Sequence, residues 1–297
     1  MWIFLVLIYG IFKGIREVCK KKAMQFSSPL EILLVYSIIS FLLVTPDFKN
    51  ALGLEPHFYA AIAFKSFVIF IAWIFSFIAI KKLPISLYGV LDLSRVLFAT
   101  FLGVTVLGET MSIFQISGLI LVCLGLVSLK FSPKTQGNCN TLQLTPQTQS
   151  PEQKNQRAAV YILMAFISCA LNAISGLMDK ILMQKINSSQ LQCWYMMFLV
   201  LFYILYAIFT KQKVSIKNTL KNKWVWLLSI LFVAADRALF LANADPQSRI
   251  TVMTLIKQSG CIVVILAGKF VFKEKNILHK AICAVIIIAG IFLGAHV

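Results

Sequence analysis

The chain has 297 residues, 59% of them hydrophobic and only 13% charged, with a net charge of +17 and a mean hydropathy of +0.85. A water-soluble domain carries about 25% charged and about 45–50% apolar residues. The balance here excludes a disordered chain, a collagen-like fibre, a disulfide-stapled secreted module and a soluble enzyme. A polytopic membrane protein remains.

A membrane-crossing helix needs about 20 apolar residues, and ten runs approach that length: 2–24, 30–46, 58–80, 85–107, 113–129, 159–183, 191–209, 224–243, 250–270 and 277–295. They are too long for barrel strands and lack apolar/polar alternation, so helices are expected. The first run is read as a retained helix rather than a signal peptide, because Lys20, Lys21 and Lys22 follow its apolar stretch and no basic residue precedes it. Pro29, Pro46, Pro84 and Pro246 punctuate the gaps. Ser112 and Gln115 have the spacing of a capping box, which starts the fifth run there. Trp2, Trp224 and Trp226 fall at run ends, where an interfacial belt places them. The stretch from Ser132 to Gln156 is rich in Gln, Asn, Thr, Ser and Pro and reads as a flexible linker. The expected organisation is residues 1–131, a linker over 132–157, and residues 158–297.

Basic residues concentrate in alternate connections. Twenty fall on one side, including Lys13, Arg16, Lys20 to Lys22, Lys81, Lys82 and Lys217, against Lys49, Lys180, Lys185 and Arg249 on the other. By the positive-inside rule the richer side faces the cytoplasm and both termini face away from it. Attraction to anionic lipid accounts for the net charge without nucleic acid.

The halves resemble one another. A shift of 165 positions lays Glu109 on Glu274, Gly125 on Gly290 and Ser94 on Ser259; Glu17 and Asp179, and Ser27-Ser28 and Ser188-Ser189, sit at similar points near the start of each half. Five helices per half is an odd number, so the second copy enters the membrane inverted, as in carriers with a central site. Two such halves, each closing with a Gly-Glu-Thr-like turn (Gly108-Glu109-Thr110; Lys273-Glu274-Lys275) and a glycine-bearing last helix, resemble the ten-helix EamA-like branch of the drug/metabolite transporter superfamily. The resemblance implies an all-α protein of ten transmembrane helices in two inverted five-helix repeats, carrying a small molecule across the cell (inner) membrane. Two features depart from the family: Arg95-Val96 and Gly260-Cys261 stand where proline is common, and the charge bias opposes the family's cytoplasmic termini.

Ionisable groups inside the runs are the candidate functional residues, since each costs at least about 2.5–3.5 kcal/mol at mid-membrane unless it meets a partner or a wet cavity. They are Arg16 and Glu17, Lys65, Asp92 and Arg95, Asp236 and Arg237, and Lys257. Asp92 and Arg95, three apart, share a helical face and can pair. These charges serve either as ion pairs between packed helices or as a site. Too few carboxylates are near to neutralise every base, so Arg95, Arg237, Lys257 and Lys65 are assigned to substrate binding, with Trp73 and Tyr88 as aromatic contacts. Glu17, Asp92 and Asp236 are the candidates for proton coupling, because a carboxyl in low dielectric can load and release a proton. Glu109 and Glu274 are read as structural, at helix N-termini.

No H-E-x-x-H, G-x-S-x-G or P-loop is present, His57, His279 and His296 are scattered, and the seven cysteines form no C-x-x-C, so no cofactor, metal or enzymatic activity is expected. The reading is a secondary carrier, driven by a proton or sodium gradient, for a small polar or zwitterionic metabolite of the amino acid, nucleotide or sugar derivative class. A proton-coupled exporter of cationic drugs and a non-transporting receptor or structural membrane protein are the alternatives.

Overall fold

The computed structural model describes residues 2–109, 111–128, 151–211, 214–274 and 277–295. Thr110, Lys213, Lys275 and the expected linker through residue 150 lie outside them. Among the described residues the regular structure is helical throughout: α1 Trp2–Ala23, α2 Pro29–Val44, α3 Pro56–Lys82, α4 Ile85–Asp92, α5 Arg95–Leu107, α6 Ile113–Ser128, α7 Pro151–Leu182, α8 Ser188–Phe209, α9 Ile216–Leu220, α10 Lys223–Ala244, α11 Ile250–Lys257, α12 Gly260–Phe270 and α13 Ile277–Ala295, with a 3-10 turn over Thr45–Ala51. Residues 151–157, expected in the linker, are the first turns of α7.

Seven of these stretches are long and apolar enough to cross a membrane: Pro29–Ala51, Pro56–Lys82, Ile85–Leu107, Ala158–Leu182, Ser188–Phe209, Lys223–Ala244 and Ile250–Phe270; Ile113–Gly125 and Leu278–Gly290 are shorter apolar helices. α1 is of comparable length but carries Lys13, Arg16, Glu17 and Lys20 within its 22 residues. The outer surface is strongly apolar, with Phe4, Phe64, Phe101, Phe114, Ile208, Phe209, Leu278 and Phe292 all exposed. In water such a surface would drive association; in lipid it is solvated.

The helix starts follow their local chemistry. Ser28 and Glu31 form a reciprocal capping box at α2, with Pro29 in the first turn, and Asn187 and Gln190 do the same at α8. The box expected at Ser112 is present: the Gln115 N–H donates to Ser112 Oγ at 3.3 Å and the Ser112 N–H to Gln115 Oε1 at 3.0 Å. The α8 cap, Asn187, stands 159 positions after the α2 cap, Ser28, and the same offset lays Lys20, not Glu17, on Asp179.

Two runs expected to be continuous helices are broken near their midpoints. At Leu93-Ser94 the chain tightens to i→i−3 bonds, Ser94 N–H to Leu91 O at 3.0 Å and Leu97 N–H to Ser94 O at 3.0 Å. The second break, at Gln258-Ser259, repeats this with Ser259 N–H to Ile256 O at 3.0 Å and Cys261 N–H to Gln258 O at 2.8 Å. Mid-helix turns of this kind are less favourable than α-helix and mark hinges or sites.

Four of the charges counted in the connections are buried inside helices. Lys13, Arg16 and Lys20 lie within α1 and Lys180 within α7, all four buried. The charge bias between the two faces loses three residues from one side and one from the other, and keeps its sign.

α1 meets α12 without side chains between them: a Cβ on Gly14 would stand 2.5 Å from Gly260 O, whereas one on Gly176 of α7 would meet nothing within 4 Å. Small residues permit this backbone approach between membrane helices. Gly14→Ala is therefore expected to lower the melting temperature in detergent, while Gly176→Ala leaves it unchanged or raised, since alanine is the better helix former by about 0.8–1 kcal/mol. Equal melting of the two variants would contradict the packing.

Candidate functional site

The charged positions of α1 obey helical spacing. Lys13, Arg16, Glu17 and Lys20 occupy i, i+3, i+4 and i+7, one stripe of the cylinder, and all four line a cavity together with residues of α3, α5, α7, α10 and α11. Asn172, Ser175, Gly176 and Asp179 form the same stripe on α7, each 159 positions from its α1 counterpart, and face the same space. The cavity holds about 790 Å³ of empty volume, counting its open mouth.

Its charges are organised as pairs. Arg16 Nη1 donates to Asp236 Oδ1 at 3.2 Å, Lys20 Nζ to Glu17 Oε1 at 2.7 Å, and Arg95 Nη2 to Asp92 Oδ1 at 2.8 Å. Lys13 Nζ stands 2.5 Å from Asp92 Oδ2 and also donates to Gln258 Oε1 at 3.0 Å. Lys65 Nζ lies 3.0 Å from Asp179 Oδ1, in charge contact without hydrogen-bond alignment, and 3.3 Å from the centre of the Tyr195 ring. Tyr195, Trp73, Phe232, Tyr36 and Phe77 form a connected aromatic wall, on which Arg16 rests through Phe232 and Lys20 through Phe77. Aromatic faces attract cations more strongly when water is scarce.

Lys257 stands apart. Its ammonium is 5.8 Å from the Tyr9 ring, and among the described residues no carboxylate reaches it within 4.0 Å. Arg16 Nε, Arg95 Nε and Glu17 Oε2 are also buried without hydrogen-bond partners. Unsatisfied buried polar atoms are costly and gather where water or a ligand supplies the missing bond.

Of the residues singled out in the sequence, Arg95, Lys257, Lys65, Trp73, Glu17 and Asp236 line this cavity, and Tyr88 and Asp92 line a narrower pocket adjoining it at Lys13 and Glu17. Tyr88 shares a 2.6 Å hydrogen bond with Ser76. Arg237 does not join them. It reaches Asp47 of the 3-10 turn and donates to the hydroxyls of Ser188 and Ser189 at 3.1 and 3.0 Å, a half-exposed clamp between α10, α8 and the end of α2. It follows Asp236 in the chain, and the 100° step between neighbours on a helix turns it away from the cavity. Lys13, Lys20, Asp179, Tyr9, Tyr195 and Phe240 were not singled out. The charged stripe of α1 and the polar stripe of α7, on otherwise apolar helices, are the signal that finds Lys13, Lys20 and Asp179.

Glu109 and Glu274 cap helices, as expected, but each caps a helix of the other half. Glu109 accepts from the Ile250 and Thr251 N–H groups at 2.7 and 3.2 Å; Glu274 accepts from Ile85 and Ser86 at 2.5 and 3.3 Å. Both donors and both acceptors are 165 residues apart.

The profile of the EamA-like transporter family matches residues 1–130 and 159–294. The chain belongs to this family. The EamA-like protein is accordingly a multi-pass membrane transporter of the drug/metabolite superfamily, with a small molecule as its cargo and lipid around it. No curated protein matches it. Among 25 matching chains of solved structures, a crystal structure of a protein 11% identical aligns over 98% of this chain and 94% of its own at a TM-score of 0.66, a likeness of fold.

Removing one member of a buried ion pair costs about 3–5 kcal/mol, because the other is left charged and dry, whereas removing both is far milder. Arg16→Met and Asp236→Leu are each expected to lower thermal stability in detergent, and the double variant is expected to melt above either. Additive losses would show that the pair is not a buried one.

Proposed function

We propose that this EamA-like protein is a secondary carrier of the inner cell membrane for a small polar or zwitterionic metabolite bearing a carboxylate or phosphate, of the amino acid, nucleotide or sugar derivative class. The observation that carries this reading is the surplus of cations in the cavity. Lys13, Arg16, Lys20, Lys65, Arg95 and Lys257 face Glu17, Asp179 and Asp236 there, with Asp92 beside them, and Lys257 has no counterion among the described residues. An uncompensated ammonium inside a membrane protein is costly, and water or an anion beside it lowers that cost. Arg95, Lys257 and Lys65 are the anion contacts in this reading, and Trp73 flanks the bound molecule.

Alternating access between two inverted five-helix halves, ten crossings in all, is the mechanism we infer. Several features support it: the family profile matches in two segments, the helix breaks fall at Ser94 and Ser259, the Glu109 and Glu274 caps are reciprocal, and Gly125 and Gly290 pack at the α6–α13 crossing. Broken helices meeting at mid-membrane are where carriers of this type hold substrate.

Proton coupling has a concrete route. Departure of Arg16 from Asp236 during the cycle leaves a dry carboxylate without its cation, and such a group takes up a proton rather than remain charged. Asp92 is bound by two cations and exchanges less readily. Export of cationic drugs fits less well, because each carboxylate of the cavity already has a cation.

In proteoliposomes the protein is expected to accumulate an anionic or zwitterionic metabolite under an imposed gradient, and a bound metabolite raises thermal stability by mass action. Lys257→Met is expected to weaken its apparent affinity about tenfold or more, the scale of one charge-assisted hydrogen bond. Unchanged affinity would remove Lys257 from the site, and absence of flux with any gradient would overturn the carrier reading.

A further inference from the structure

Each end of the helix bundle carries a lock separate from the ion pairs of the cavity. α4–α5 and α11–α12 run antiparallel, so the Glu109·Ile250 cap and the Glu274·Ile85 cap lie at opposite ends, about 30 Å apart at 1.5 Å per helical residue. At the first end, Lys180 Nζ of α7 donates to Asn243 O at 3.1 Å, Asp245 O at 3.0 Å and Ser248 Oγ at 2.5 Å, gripping the corner that leads into α11. At the second end Lys21 of α1, 159 positions earlier, donates to Leu83 O at 2.5 Å and grips the corner that leads into α4. A left-handed turn presents each glutamate: Gly108 has φ +65° and Lys273 φ +49°, and a second turn bond runs from Glu109 N–H to Gly103 O and from Glu274 N–H to Gly268 O. Gly103 and Gly268 leave room for the carboxylates, since a Cβ there would stand 3.0 and 3.4 Å from the respective Oε2 atoms.

We propose that Glu109 and Glu274, with Lys180 and Lys21 behind them, are the two gates of the transport cycle, one at each mouth, released in alternation. The proposal rests on the alternating-access reading and names the residues that perform it. Opening a mouth parts the N-terminus of one broken helix from the glutamate of the other half. The freed N–H groups and carboxylate then face water entering that mouth, which replaces the lost bonds, so a cap is a closure that can be undone on the wet side alone. The two gates are unequal. Glu274 also accepts from the Ser86 hydroxyl and has Lys280 Nζ at 3.6 Å and Lys21 Nζ at 4.0 Å, whereas Glu109 has, among the described residues, no cation within 4.0 Å. The Glu109 mouth is the one that opens first.

Hydrogen exchange on the full-length protein in lipid vesicles reads both gates without any substrate. Glu109→Gln is expected to speed amide exchange over residues 250–254 about tenfold and to slow it over 85–89, because opening one mouth closes the other. Glu274→Gln is expected to do the reverse, and the double variant to return toward the native balance. Glu109→Asp keeps the charge but shortens the reach, and shifts the balance as Glu109→Gln does, so a poorly folding glutamine variant does not end the test. A rise confined to the mutated end, or a rise at both ends, shows a merely local cap and overturns the gates. In that event metabolite flux by the unaltered protein would still support the carrier, whereas loss of flux alone leaves the reciprocal exchange pattern to be judged on its own.

Discussion

Ionised side chains tolerate the hydrocarbon core only when another charge, a hydrogen bond or water replaces what the lipid cannot supply. This chain buries Lys13, Arg16, Glu17, Lys20, Lys65, Asp92, Asp179, Lys180, Asp236 and Lys257, and that load dictates the arrangement of its helices. The charged stripe of α1 and the polar stripe of α7 turn inward, away from an outer surface of Phe, Leu and Ile. α3 and α10 supply Lys65 and Asp236 to meet them. A chamber between the helices follows from this pairing, and Lys257 lines it with no carboxylate within 4.0 Å among the described residues.

The breaks at Leu93-Ser94 and Gln258-Ser259 belong to the same economy of partners. Each converts α-helical bonding to a tighter turn beside the residues that matter: Asp92 and Arg95 flank one, Lys257 the other. Straight helices would hold the two segments as rigid rods from one face to the other. In the proposed cycle, broken ones let the α4 and α5 portions, and the α11 and α12 portions, tilt separately while the caps at their outer ends hold or release. The close backbone contact of α1 with α12 at Gly14 and Gly260 fixes one side of this assembly, whereas Gly176 on α7 faces open space.

Much of this was legible in the residues. The positions of the apolar runs, the capping box at Ser112, the pairing of Asp92 with Arg95 and the N-terminal role of Glu109 and Glu274 all follow from spacing and composition. The helix breaks were not, because neither site has a proline, and Leu93 and Ser94 are ordinary inside a helix. Arg237 read as a site residue because hydropathy sees only that it is charged and in a span; its partner, Asp47, lies far off in sequence at the end of α2. Lys13 and Lys20 were taken as loop charges because they stand near the end of an apolar run. Helical periodicity corrects that, since a loop has no reason to repeat at three and four residues.

The account stands on a wet chamber around Lys257, and solvent access at that residue tests it most directly. Lys257→Cys protein, reconstituted in vesicles and exposed to a water-soluble, charged thiol reagent, is predicted to be modified well above the background of the unaltered protein, and to be protected by a transported metabolite. Inertness of that thiol to the aqueous reagent, with ready attack by a lipid-soluble one, would place residue 257 against the bilayer and contradict the account.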